Sequence, residues 1–138
     1  MINLIVGKKG SGKTKKLVTY ANDLISRSAG NVVVIVKGSK LTFELDYKAR
    51  LVNIDNYEIG NFDGLYGFIC GLCAGNYDLT DVLVDSTLDI GGGDVEAFNA
   101  FVEKLSSFLE NSSVKLTFSV SFEESQLSAL VKSVSNIM

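Results

Sequence analysis

Three segments of the chain are apolar at almost every position: Ile2 to Val6, Val32 to Val36 and Val82 to Val84. A strand with one wet face alternates apolar and polar residues. These read instead as strands covered on both faces, the condition of a parallel sheet between helical layers. Between them, apolar positions return at helical spacing, first at Leu17, Ala21, Leu24, Ile25 and Ser28, then at Phe62, Leu65, Tyr66, Ile69, Leu72 and Cys73. The stripe Val95, Phe98, Val102, Leu105 and Leu109 predicts an amphipathic helix, and Leu127, Leu130, Val131, Val134 and Ile137 predict a last short one. Strand alternating with helix predicts an α/β fold, three-layer and doubly wound around a mainly parallel sheet of about five strands.

Two further segments are assigned by the same rules. Leu51 to Ile54 reads as a strand, and Lys115 to Ser121 alternates Leu116, Phe118 and Val120 with polar residues, which predicts an edge or thinly covered strand. Residues 38 to 49, with Phe43, Leu45 and Tyr47, fit a short strand or a loop equally. At 138 residues the chain suffices for one substantial core and falls short of two ordinary domains, so residues 1–138 are expected to form one domain. No apolar run approaches the roughly eighteen residues that span a bilayer. The first residues enter a strand with no signal-peptide layout, so a cytoplasmic protein without a membrane partner is expected.

Directly after the first apolar run comes Gly7-Lys8-Lys9-Gly10-Ser11-Gly12-Lys13-Thr14, which fits G-x-x-x-x-G-K-[ST], the phosphate-loop or Walker A pattern. Glycines let successive backbone N–H groups face a concavity of phosphate size, and the following helix adds its unpaired amides and the positive end of its dipole. In such a loop Lys13 reaches the terminal phosphates and the Thr14 hydroxyl holds Mg2+. The cofactor-binding residues expected are therefore Gly7, Lys8, Lys9, Gly10, Ser11, Gly12, Lys13 and Thr14. ATP or another nucleoside triphosphate, with Mg2+, is the ligand they imply.

Charge placement supports a phosphate ligand and argues against nucleic acid. Residues 1 to 40 hold eight Lys/Arg against Asp23 alone, whereas the remainder holds five against fifteen Asp/Glu. The basic pole, Lys8, Lys9, Lys13, Lys15 and Lys16, suits a polyphosphate. The acidic body would repel a long nucleic-acid backbone. The absence of His removes the commonest general base and zinc ligand together. Cys70 and Cys73 form a C-x-x-C that fits half of a metal site or a redox pair, but inside an apolar helical stretch with no second pair they read first as core cysteines.

A phosphate loop needs a carboxylate at the end of a buried strand to help hold Mg2+, and Val82-Leu83-Val84-Asp85 supplies one. Asp85 and Thr14 are thus the candidate metal ligands, and Lys13 and Asp85 the candidate catalytic residues. No glutamate follows Asp85, since the next residue is Ser86. For activating water the sequence leaves Asp89, Asp94, Glu96, Glu58, Glu123 and Glu124 undistinguished. Gly91 to Gly93 fits a mobile loop or a flexible entry to the helix at Asp94. Ser119 and Ser121 fit polar sensors of the terminal phosphate or surface serines. Arginine is scarce, with only Arg27 and Arg50, so an arginine-rich lid is hard to assemble and slow or partner-activated turnover is expected.

With that loop, the strand ending at Asp85, and Gly75-Asn76-Tyr77-Asp78 before it, the chain resembles a group of small stand-alone bacterial P-loop ATP-binding proteins. Some of these carry the transferred label of twitching-motility ATPase. The resemblance implies a P-loop NTPase fold with ATP bound at the loop. A hexameric motor role does not transfer, since pilus-retraction ATPases carry histidine-containing motifs and this chain has no His. The expected function is slow NTP hydrolysis. A nucleotide-gated interaction switch, with a second copy or a protein as partner, and a small-molecule kinase are the alternatives.

Overall fold

Covering both faces of an apolar strand takes helices on each side of its sheet, and the computed structural model, which describes residues 1–38 and 44–138, has that layout. The strands are β1 (Ile2–Val6), β2 (Asn31–Val36), β3 (Arg50–Asn53), β4 (Leu79–Val84), β5 (Lys115–Val120) and β6 (Ser135–Ile137). They form one open sheet in the order β3-β2-β4-β5-β1-β6, every neighbouring pair parallel. The helices are α1 (Lys13–Arg27), α2 (Phe62–Gly75), α3 (Thr87–Gly91), α4 (Val95–Leu109) and α5 (Ala129–Val134). None is long and apolar enough to cross a membrane.

The two faces are covered unequally. On one, α1 packs Leu17, Val18, Ala21 and Leu24 onto Ile5, Val32, Val34 and Leu83. Ile25 is half-buried beside them, while Ser28 ends the helix, its N–H bonded to Leu24 O at 2.8 Å. On the other face, α2, α4 and α5 enclose an aromatic core in which Phe98 and Phe101 meet Phe118 of β5 at ring distances of 6.4 and 5.5 Å. Cys73 packs against this core, whose burial pushes its thiol pKa up, and both cysteines are free.

Several sequence expectations change. β5 lies between β4 and β1, not at an edge, and Leu116 to Val120 are all buried. Its alternation reflects a polar face that is nevertheless covered: Thr117 accepts from Asn3 Nδ2 at 3.3 Å, and Ser119 is 1 % exposed. The last helix stops at Val134, where Ser135 Oγ takes the Val131 carbonyl at 2.6 Å and the chain continues as β6, with Ile137 beside Leu4. The sheet thereby gains a sixth strand, and Leu130 is exposed rather than core.

The glycine run Gly91 to Gly93 closes α3, a helix absent from the sequence reading. The N–H groups of Gly92 and Gly93 both bond Leu88 O, at 2.9 and 2.7 Å. Of the ambiguous segment 38 to 49, residues 39–43, including Phe43, lie outside the described residues. Leu45 is buried and Tyr47 exposed in a turn.

Candidate functional site

All strands being parallel, their C-terminal ends share one edge, where crevices form between the loops that leave them. The loop after β1 and the turn after β4 emerge there, separated by the width of β5.

Residues 7–12 turn sharply from β1 into α1. Gly10 and Gly12 have φ of 82° and 88°, a left-handed conformation that side chains disfavour. Ser11 N–H bonds Lys8 O at 3.1 Å, and Lys16 N–H bonds Gly12 O at 3.1 Å to begin the helix. Gly12 caps α1 without a side chain, and the first turn holds no acid. Lys13, Lys15 and Lys16 instead stand at the positive end of the helix dipole, an arrangement that costs stability unless an anion joins it. Lys13 Nζ donates to Lys8 O at 2.8 Å, and Lys8 Nζ lies 3.5 Å from Glu123.

Asp85 follows β4, its N–H bonded to Ile35 O of β2 at 3.0 Å. Only 7 % exposed, its carboxylate is almost fully engaged. Thr14 Oγ1 reaches Oδ2 at 3.0 Å and Oδ1 at 3.2 Å, and Ser119 Oγ donates to Oδ1 at 2.7 Å. Ser119 Oγ in turn accepts the Ser86 N–H at 2.8 Å. Ser86 is held at φ 54°, ψ 47°, an uncommon backbone state for a non-glycine residue.

Two cavities meet over this network. One of ≈ 480 Å³ is bounded by Gly10, Gly12, Lys13 and Thr14 on one side and Ser119 and Ser121 on the other. A second, ≈ 650 Å³, runs past Asp85 to Val36, Lys37 and Asp55, and the two share Thr14, Ser86 and Asp89. Lys37 Nζ and Asp55 pair at 2.8 Å at its far end.

Of the residues singled out from sequence, Gly10, Gly12, Lys13, Thr14 and Asp85 are thus brought together, with Lys9 on the smaller cavity's rim. Lys8 is turned toward Glu123, and the Gly7 N–H bonds Phe122 O at 3.1 Å. Arg27 pairs with Asp23 at 2.7 Å on the exposed side of α1, and neither arginine lines the cleft. Sequence reasoning undervalued Ser119, whose signal was a small polar residue next to Phe118 on a strand otherwise built for the core. It missed Lys37 and Asp55, which the general rule that parallel strands bind ligands at their C-terminal ends would have nominated.

No protein-family model matches the chain, and no curated protein matches it.

Proposed function

We propose that this protein binds ATP, or another nucleoside triphosphate, with Mg2+ in the cleft between the 7–14 loop and Asp85, and hydrolyses it slowly, on a fold of P-loop NTPase type. The observation that carries the reading is the start of α1, where three lysines and uncapped amides gather with no acidic residue in the helix's own first turn. A polyphosphate supplies the missing negative charge and accepts the free N–H groups. The ≈ 480 Å³ cavity beside Lys13 has room for it.

The donor set suits Mg2+, a hard cation that takes oxygen ligands and keeps several waters. Thr14 Oγ1 and the Asp85 carboxylate, 3.0 Å apart, are a hydroxyl and an anion converging at the mouth of a polar cavity, and they are the residues that would hold it. Bound there, the ion would neutralise charge shared between the terminal phosphates.

The chain's own residues do the rest. Lys13 exchanges its bond to Lys8 O for the terminal phosphate, so its ammonium serves the ligand at little reorganisation. Ser119 holds Asp85 in one orientation, and Ser121 faces the same cavity as Lys13. The pairing of β5 with both β1 and β4 fixes the span between loop and carboxylate.

The test is thermal unfolding with Mg·ATP and Mg·GTP in wild type and Lys13→Ala, with ADP or GDP formation followed on the same samples. Ligand at about a hundredfold its Kd stabilises by roughly 2.7 kcal/mol, a readily measured shift. A shift lost in Lys13→Ala supports the site, and nucleoside diphosphate formation supports turnover. No shift with either nucleotide would sink the reading.

A further inference from the structure

The cleft contains one carboxylate left over once phosphate and cation are assigned. Asp89 lies on α3 and lines both cavities, as do Thr14 and Ser86. The other acids are occupied or elsewhere. Glu123 pairs with Lys8 at 3.5 Å, Asp94 caps α4 by accepting the Glu96 N–H at 3.0 Å, and Asp55 is taken by Lys37 at 2.8 Å. Glu58, Glu96 and Glu124 line neither cavity. The three ion pairs among the described residues leave Asp89 out.

The mounting of Asp89 is firm although its side chain is exposed. Its N–H bonds Ser86 O at 3.0 Å, and Leu88 and Ile90 on either side are buried. Thr87, fully buried, ties the start of α3 to Val84 O at 3.3 Å. At its end, Gly91 sits flush against the Phe62 ring of α2. A backbone held in this way fixes where the Asp89 side chain starts relative to Asp85, which catalysis by position requires.

We propose that Asp89 holds and deprotonates the water that attacks the terminal phosphorus, an assignment that rests on the nucleotide reading above. With the cation site at Thr14 and Asp85, the terminal phosphate lies at the junction of the two cavities, and the ≈ 650 Å³ cavity beyond Asp85 opens on its far side. Water enters from there. Its oxygen forms the new P–O bond as the bond from the terminal phosphorus to the bridging oxygen breaks. The electron pair of that bond leaves with the nucleoside diphosphate, and the water proton passes to an Asp89 carboxylate oxygen and then to the released phosphate or solvent.

The experiment is single-turnover hydrolysis of Mg·ATP with protein in excess, for wild type, Asp89→Asn and Glu96→Gln, alongside the thermal shift of each. Asp89→Asn keeps the side chain's size and is expected to slow phosphate release about 100-fold or more while retaining the full shift. Glu96→Gln is expected to match wild type. Phosphate release by Asp89→Asn within threefold of wild type overturns the assignment, as does loss of its thermal shift, which would make Asp89 a ligand-holding group. A wild-type protein that binds Mg·ATP yet releases no phosphate overturns it too. The nucleotide reading fails on a different result, the absence of any Lys13-dependent shift.

Discussion

Thr14 Oγ1 donates to both carboxylate oxygens of Asp85, at 3.0 and 3.2 Å, joining residues 71 apart in sequence. Nothing in the local sequence of either partner calls for the pairing. Thr14 is exposed in the first turn of a lysine-rich helix, and Asp85 ends a strand that is otherwise wholly apolar from Val82. If the pair is a cation site, Thr14→Ala and Asp85→Asn are each expected to weaken ATP binding at least about tenfold in Mg2+. Binding in EDTA should change little. Calorimetric titration under both conditions checks this, and equal losses with and without metal would count against a cation role.

Ser119→Ala removes the 2.7 Å bond to Asp85 and the acceptor for the Ser86 N–H, leaving two poorly solvated groups short of a partner. The expected cost is about 2 kcal/mol, measured as a lower urea midpoint at unchanged m-value. A cost near zero would show that water replaces the hydroxyl.

Gly91→Ala puts a methyl well inside contact distance of three ring atoms of Phe62, which packs against Phe98 and Phe101 and borders a cavity of ≈ 340 Å³. Overpacking of this kind costs about 1–3 kcal/mol. Where α3 rather than the ring gives way, turnover is expected to fall more than nucleotide binding does. Unchanged stability would mean the α2–α3 contact is looser than its geometry.

The layered α/β plan was legible because burial on both faces leaves a mark that half-burial does not. Val32 to Val36 and Val82 to Val84 have no polar position, and both became interior strands. Lys115 to Ser121 misled for the complementary reason. A polar residue on a strand signals solvent only when nothing polar lies under the sheet, and here Asn3 and Asp85 wait for Thr117 and Ser119. β6 and α3, with three and five residues, are too short for any periodicity to register. The loop and Asp85 were visible as motif and strand end. The singling out of Asp89 among six acids needed three dimensions, since chain spacing says nothing about which carboxylate faces a cleft.

Alkaline pH should destabilise the fold through groups buried as neutral acids. Burial foremost, with the charge of Asp81 second, raises the Tyr20 phenol above its ordinary 10.0, and burial raises Cys73 above 9.0. Where the folded pKa is the higher, the native state keeps its proton while the unfolded chain loses it. Stability is therefore whole below pH 9 and falls as pH climbs through the raised values. Urea midpoints at pH 8.5 and 10.5 are expected to differ less in Tyr20→Phe than in wild type. The double variant with Cys73→Ala should differ least.

Asp81 itself is 4 % exposed, and its Oδ2 meets no hydrogen-bond partner among the described residues. Asp81→Asn removes an acid from under α1 without changing its size. A gain of about 1 kcal/mol is expected, together with a Tyr20 titration nearer its ordinary range, read by absorbance at 295 nm on the order of the phenolate band. A loss of stability would count against the gain expected from removing the acid.

The sheet order has a consequence for how the chain is made. β1 precedes the other described strands, yet its neighbours are β5 and β6, so Leu4 lies beside Phe118 and Ile137. β2, β3 and β4 can pair as soon as residue 84 is available, but they assemble without the loop. Nascent chains shorter than β5 therefore carry the whole lysine-rich segment and the Asp85 strand with no frame between them. Closing the span sets Ile2 beside Leu116, and pairing that non-local is expected to be slow. On the nucleotide reading, affinity should arise only once β5 stands between the loop and Asp85.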